Sequence, residues 1–295
     1  MKTKRAISAV VAIVTAMAVA PAFGQVPPPP PPPMPPQALE QLVARIALYP
    51  DPLLAQILAA ATYPDQIQPA ASWSDQHHYL TGQALANAIT GDQLPWDPSV
   101  QALLPFPSVL DMMASDMNWT SQLGNAFLTQ QQDVMEATQR ARQKAQQFGY
   151  LRTNRQIVVG GGPYITIMPV DPGVLFVPYY DPAIVFFPPR PGFFIGGAIG
   201  FNFSVVIGGY FRPWGWGFNR FDWGGHAVFI NNARWGRTWE NRGGYVHPYE
   251  GVRRFGGGPG GGRPMEQHRL QPRSERERSA PRQNRGHVEE HGGRR

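Results

Sequence analysis

The sequence contains no cysteine. That absence excludes disulfides, thiolate metal sites and any lipid attached through a cysteine at a processed N-terminus. Catalytic signatures are missing as well: there is no Gly-x-Ser-x-Gly elbow, no His-Glu-x-x-His and no phosphate-cradling loop. The glycine run Gly160-Gly161-Gly162 leads into a proline and an extended stretch, so no helix N-terminus follows it to bind phosphate. Charge is sparse, at 16% of residues, and unevenly placed. Residues 25–250 carry twelve Lys or Arg against fifteen Asp or Glu, whereas residues 251–295 carry eleven Arg against five Glu. The net positive charge therefore belongs to the C-terminal tail.

Among the features present, the first residues define a compartment. Lys2, Lys4 and Arg5 precede an apolar run from Ala6 to Ala20, and Ala22-Phe23-Gly24 supplies small residues for processing. Residues 1–24 read as a signal peptide, with Gln25 as the mature start. The apolar run is shorter than the ~20 residues of a spanning helix, so the chain is expected to be exported to the periplasm or cell envelope, soluble or peripherally membrane-associated. Residues 25–36, with the run VPPPPPPPMPP, form a polyproline spacer that holds its length without folding. The tail 251–295 has too few apolar side chains to offset the entropy of ordering and is expected to be disordered. Its arginines suit polyanions such as envelope polymers or anionic headgroups, with no specific nucleic acid implied.

Between these ends lie two patterns. In residues 37–150 apolar residues recur at helical spacing. Leu39, Leu42, Val43 and Ile46 mark one stripe, and Leu54, Ile57, Leu58 and Ala61 a second. Aspartates beside prolines punctuate the series. Asp51, Asp65 and Asp97 stand where helices are expected to start, each as a cap accepting from first-turn N–H groups. Further helices are expected at 80–89, ended by Gly91, from Pro107, and over a long stretch capped by Asn118 and ended by Gly149. In residues 155–250 the period becomes two. A hairpin is expected through Gly160–Gly162, then turns at Asp171 and Asp181 with strands at 174–177 and 183–187. The uncharged stretch 192–211 places Phe193, Ile195, Ile199, Phe201, Phe203, Val205 and Ile207 at odd positions and small or polar residues at even ones, which favours strands over a membrane helix. The fold class expected is α+β: several short helices and one long helix, then an antiparallel β-meander.

Residues 212–250 are rich in Gly and Trp. Trp214, Trp216, Trp223, Trp235 and Trp239 admit two readings: rings buried against the helical layer, or a flat platform that meets sugar rings, lipid headgroups or another protein.

The motifs LVARIALYPDPLLAQILAAATYPDQI, LPWDPSVQALLPFPSVLDMM, NWTSQLGNAFLTQQQDVMEATQR and VPYYDPAIVF resemble the exported bacterial proteins grouped as domain of unknown function family 3300. The resemblance covers residues 38–188, with a looser Gly- and Trp-rich continuation to about residue 247. It implies a Gram-negative envelope protein, often membrane-associated, with no established reaction and no catalytic residues to transfer. The Pro- and Tyr-rich stretch that usually follows the last motif is reduced here to Pro188-Pro189-Arg190-Pro191.

The enzymatic candidates are thin. Asp222 and His226 lie four apart among tryptophans, as an acid–base pair would. His77-His78 offers imidazoles that diverge on a helix, and Asp111 and Asp116 are expected to face water. No metal or cofactor is expected. The reading is a non-enzymatic interaction or scaffold protein at a membrane or cell-wall surface; the alternative is a polysaccharide- or peptidoglycan-acting enzyme using Asp222 and His226.

Overall fold

The computed structural model describes residues 28–189 and 197–249. The expected signal peptide, the basic tail 251–295 and the start of the 192–211 stretch lie outside the described residues. Eight helices come first: α1 (Pro36–Val43), α2 (Asp51–Ala61), α3 (Ile67–Gln76), α4 (Gly82–Gly91), α5 (Pro98–Gln101), α6 (Pro107–Ser115), α7 (Met117–Thr129) and α8 (Gln131–Gln147). The strands follow as β1 (Ile157–Gly160), β2 (Thr166–Pro169), β3 (Val174–Tyr180), β4 (Ile199–Val206), β5 (Arg220–Asp222), β6 (Ala227–Ile230) and β7 (Ala233–Arg234), with a short helix α9 (Pro182–Val185) between β3 and β4. The α+β class expected from the change of period is what forms.

Helix α2 is the centre of the layer. Its sequence DPLLAQILAAA has no charge after Asp51, and ten of its eleven residues are buried. A helix apolar on every side is stable only when wrapped on every side. Here α5, α7, β2, β5 and β6 all pack against it. Helix α7 crosses its end so closely that a Cβ at Gly124 would lie 1.9 Å from the Ala61 carbonyl oxygen. Glycine is required there by contact, not by backbone angle.

All strand pairings are antiparallel, and the strands group into three small sheets: β1-β2, β3-β4 and β5-β6-β7. The 192–211 stretch does contain a strand, β4. Val205 in β4 and Ile207 just after it are buried in the main core, whereas Phe203 on the same face of the strand is exposed. A smaller cluster of Leu48, Ala145, Leu151, Ile157, Ile165, Ile167 and Val185 closes the β1-β2 side. Among the described residues no helix is long and apolar enough to cross a membrane.

Several local expectations are corrected. Residues 183–187 are not a strand: Asp181 accepts from the Ala183 N–H (2.8 Å) and Pro182 opens α9, so DPAIV starts a helix by the same device as DPSV. The long helix is two helices that break at Gln130, with φ −139° and ψ 44°. Its cap is Asp116, which accepts from the Trp119 N–H (3.0 Å), rather than Asn118. Gly91 lies inside α4, and the left-handed residue after that helix is Gln93 (φ 48°).

Candidate functional site

The repeated aspartates have separate fates. Asp97 caps α5, its Oδ1 accepting from the Ser99 N–H (3.0 Å) and hydroxyl (2.8 Å). Asp171 accepts from the Gly173 N–H (2.8 Å) and holds the turn before β3. Asp65 sits within a 3-10 turn, Pro64–Gln66, and makes no cap bond. Asp51 is not a cap either; it is the first residue of α2, and its carboxylate turns inward. Its Oδ1 accepts from Arg142 Nη1 (2.6 Å) and the Ile167 N–H (3.4 Å), and its Oδ2 accepts from Trp223 Nε1 (3.2 Å). Arg142 is fully buried and donates further to the carbonyls of Ala47 (2.8 Å), Tyr49 (3.0 Å) and Ile165 (2.9 Å), with its guanidinium 4.9 Å from the Trp223 ring. A cap needs only its own first turn. Asp51 instead has a partner 91 residues away, which no local pattern announces. This is a fastener between α2, α8, β2 and the β5–β6 turn.

The tryptophan platform does not form. Trp214, Trp216, Trp223 and Trp235 are buried, and Trp239 is partly buried. Rings two residues apart share one face as a platform only along an extended backbone. Here Trp214 ends a 3-10 turn, and Gly215 (φ 89°) and Gly217 (φ 92°) are left-handed, so both nearby indoles reach the core. Their ring N–H groups bind the helical layer: Trp214 Nε1 donates to Gln101 Oε1 (2.9 Å) and Trp216 Nε1 to the Ala102 carbonyl (3.0 Å). Gln56, the polar residue inside α2, donates back to the Trp214 carbonyl (2.9 Å).

Nor are the acid–base candidates brought together. Asp222 accepts from the Gly225 N–H (2.9 Å) and shapes the β5–β6 turn. His226, left-handed at φ 47°, places Nε2 3.4 Å from Glu136 beside a cleft of about 200 Å³. His77 stacks on Trp73 (3.9 Å) and its Nδ1 meets the Trp73 carbonyl (2.8 Å), while His78 Nδ1 meets the Asp75 carbonyl (2.6 Å); both imidazoles finish α3. Asp116 pairs with Arg45 (2.9 Å), and its hydrogen bond from the Trp119 N–H, helped by Arg45, lowers its pKa. Partial burial, with Asp75 nearby, raises that of Asp111. Among the described residues no group of three or more His, Asp or Glu is placed to hold a metal ion.

Exposed apolar side chains occur in several places, and one group of them lies around β3, α9 and β4. Tyr179 is 75% exposed, Phe187 59% and Val206 58%, with Ile184, Phe203 and Tyr210 also exposed. Three clefts run along this ribbon. One of about 550 Å³ lies between the α3–α4 connection and β4, and one of about 460 Å³ between Tyr49, Met112 and Tyr179. The two share Phe203. A third, also about 460 Å³, lies beyond Pro182 between α1, α8 and Phe187. Charges sit at the margins: Arg45 borders the second cleft, and Glu40 with Lys144 (2.5 Å apart) borders the third. Burial tends to raise the Glu40 pKa, but hydrogen bonds from Lys144 and Arg140 prevail and leave it lowered. The adjacent Tyr179 and Tyr180 face opposite ways, as strand alternation requires. Tyr180 is turned inward, its hydroxyl donating to the Ala44 carbonyl (2.9 Å). That alternation in YYDP was the available signal for an outward Tyr179.

These features define an α+β protein whose ionisable side chains mostly fasten elements together and whose exposed apolar side chains include a group around β3, α9 and β4. The chain belongs to the family described as protein of unknown function (DUF3300), whose model matches residues 35–245. It is 36% identical over 181 residues to the uncharacterized protein YacH of Escherichia coli (strain K12), a match covering 50% of this chain and 29% of that relative. No solved structure matches.

Proposed function

We propose that this is an exported cell-envelope protein that works by binding, as a membrane- or cell-wall-associated interaction or scaffold protein, and not by catalysis. The observation that carries this reading is the exposed set Tyr179, Phe187, Phe203 and Val206 along three adjoining clefts. Contiguous exposed apolar surface has a cost in water that a contact surface offsets when occupied. The ribbon also has strand edges unpaired among the described residues, with Pro178 removing one N–H from β3. The signal-like leader supports the compartment, and the eleven tail arginines supply attraction to anionic polymers or headgroups.

The test is co-sedimentation of the purified mature chain with lipid vesicles and with cell-wall sacculi, comparing the natural protein with the Tyr179→Ser, Phe187→Ser double variant. Binding to one of the two surfaces is expected, and the variant is expected to lose it with an unchanged melting temperature. Absence of binding to both, together with release of sugar fragments from sacculi, would establish the enzymatic alternative instead.

A further inference from the structure

The proline spacer was expected to hold distance only. From Pro28 onward it lies against the folded chain. Pro28 contributes its carbonyl oxygen to Trp239 Nε1 (3.0 Å). Six residues later the Gln130 side-chain amide grips Met34 at both backbone groups: the Met34 N–H donates to Oε1 (2.7 Å), and Nε2 donates to the Met34 carbonyl (3.2 Å). Between these anchors Pro31 and Met34 are partly buried while Pro29, Pro30, Pro32 and Pro33 are exposed. A repeat of three residues is that of the polyproline II helix, which spans about 19 Å over six residues and leaves every carbonyl free to accept.

The receiving side is held in place before any ligand is considered. The Trp239 backbone N–H donates to the Leu128 carbonyl near the end of α7 (3.2 Å). The Arg242 guanidinium lies 3.6 Å from the Trp239 ring centre and donates to the Trp239 carbonyl. Gln130 occupies the break between α7 and α8, and its Nε2 also donates to Asp133 (3.1 Å). An indole N–H, a stacked guanidinium that fixes the ring, and a side-chain amide that takes one peptide unit at two points read main-chain carbonyls and a three-residue period. They do not read individual side chains. These are the means by which aromatic grooves take proline-rich segments, whose stiffness keeps the entropy of binding low.

We infer that Trp239, Arg242 and Gln130 form a polyproline II-binding site, and that its ligand is the chain's own spacer, residues 28–34, bound in cis. This fastens the segment that leads into α1 to the loop after β7. It also means that the site is vacated only when the spacer is displaced, because a tethered ligand competes at an effective concentration on the order of millimolar.

The experiment uses the full chain in three forms: natural, with residues 28–34 replaced by alternating Gly and Ser, and with that replacement combined with Trp239→Phe. The probe is a fluorescent synthetic peptide of residues 26–36, followed by anisotropy. The peptide is expected to bind the Gly/Ser form and to bind the natural chain about tenfold more weakly, because the spacer already fills the site. Trp239→Phe keeps a ring but lacks the donor, and is expected to weaken binding to the Gly/Ser form while the melting temperature stays unchanged. No binding to the Gly/Ser form, or equal binding with Trp239→Phe, would overturn the site. Equal binding to the natural chain would overturn its occupation by the spacer.

Discussion

Helices α1–α8 carry long apolar stripes and alanine-rich faces, and they bury one another. The strands from β1 to β7 run from two to eight residues in sheets of two or three, sizes that cannot hold a core alone. They are secured by long side chains that cross into the helical layer, chiefly the indoles of Trp214, Trp216 and Trp223 and the phenol of Tyr180. Helical packing is spread over many equivalent contacts. The β-rich attachment is concentrated in a few, so single substitutions should separate the two regions.

The largest effect is expected at the joint between them. Asp51→Ala strips the partner from the buried Arg142 and should lower the unfolding free energy by about 3–5 kcal/mol in urea titrations. Asp97→Ala, which removes an ordinary cap, should cost about 1 kcal/mol. Equal losses would return Asp51 to the role of a cap. Trp216→Ala, measured the same way, should cost about 3–5 kcal/mol, as expected for a ring in the core and not on a binding face. Gly124→Ala forces α7 from the end of α2 and should cost about 1–3 kcal/mol, a test confined to the helical side.

A smaller effect concerns pH. Burial pushes the Tyr49 phenol up to about 12, and burial likewise raises Tyr180. A phenol with a folded pKa above its unfolded value of about 10 supports folding fully below that value. The contribution is lost as pH rises from about 10 towards 12. Stability measured by chemical denaturation should therefore fall across that window, and Tyr49→Phe should flatten the fall. The smallest effect belongs to Tyr179→Ser and Phe187→Ser, each expected to change stability by no more than about 0.5 kcal/mol while surface binding is lost.

The helices were legible because a stripe and a proline are local signals: Leu39, Leu42 and Val43 face inward in α1, and Asp97-Pro98 starts α5 as expected. β4 was legible from its alternation. What escaped the sequence lies in contacts between distant residues. Nothing near Asp51 distinguishes it from Asp97, because Arg142, Ile167 and Trp223 make the difference. The four residues of α9 are too few to show a period, leaving only the Asp-Pro start to separate helix from strand. The tryptophans looked periodic, but the left-handed glycines between them reset the faces. On the surface, the pair Tyr179-Tyr180 shows that the two rings face opposite ways but not which one faces out, and Phe187 carries no motif.

The buried pair of Asp51 and Arg142 also sets an order of completion along the chain. Its acidic member opens the second helix and its basic member lies in the last of the eight, while the groups that enclose both, Ile165, Ile167 and Trp223, come later still. A chain supplied from its N-terminus holds an unfinished ionic centre until residue 223 has arrived. Completing that centre therefore takes residues from both the helical half and its β-rich neighbour.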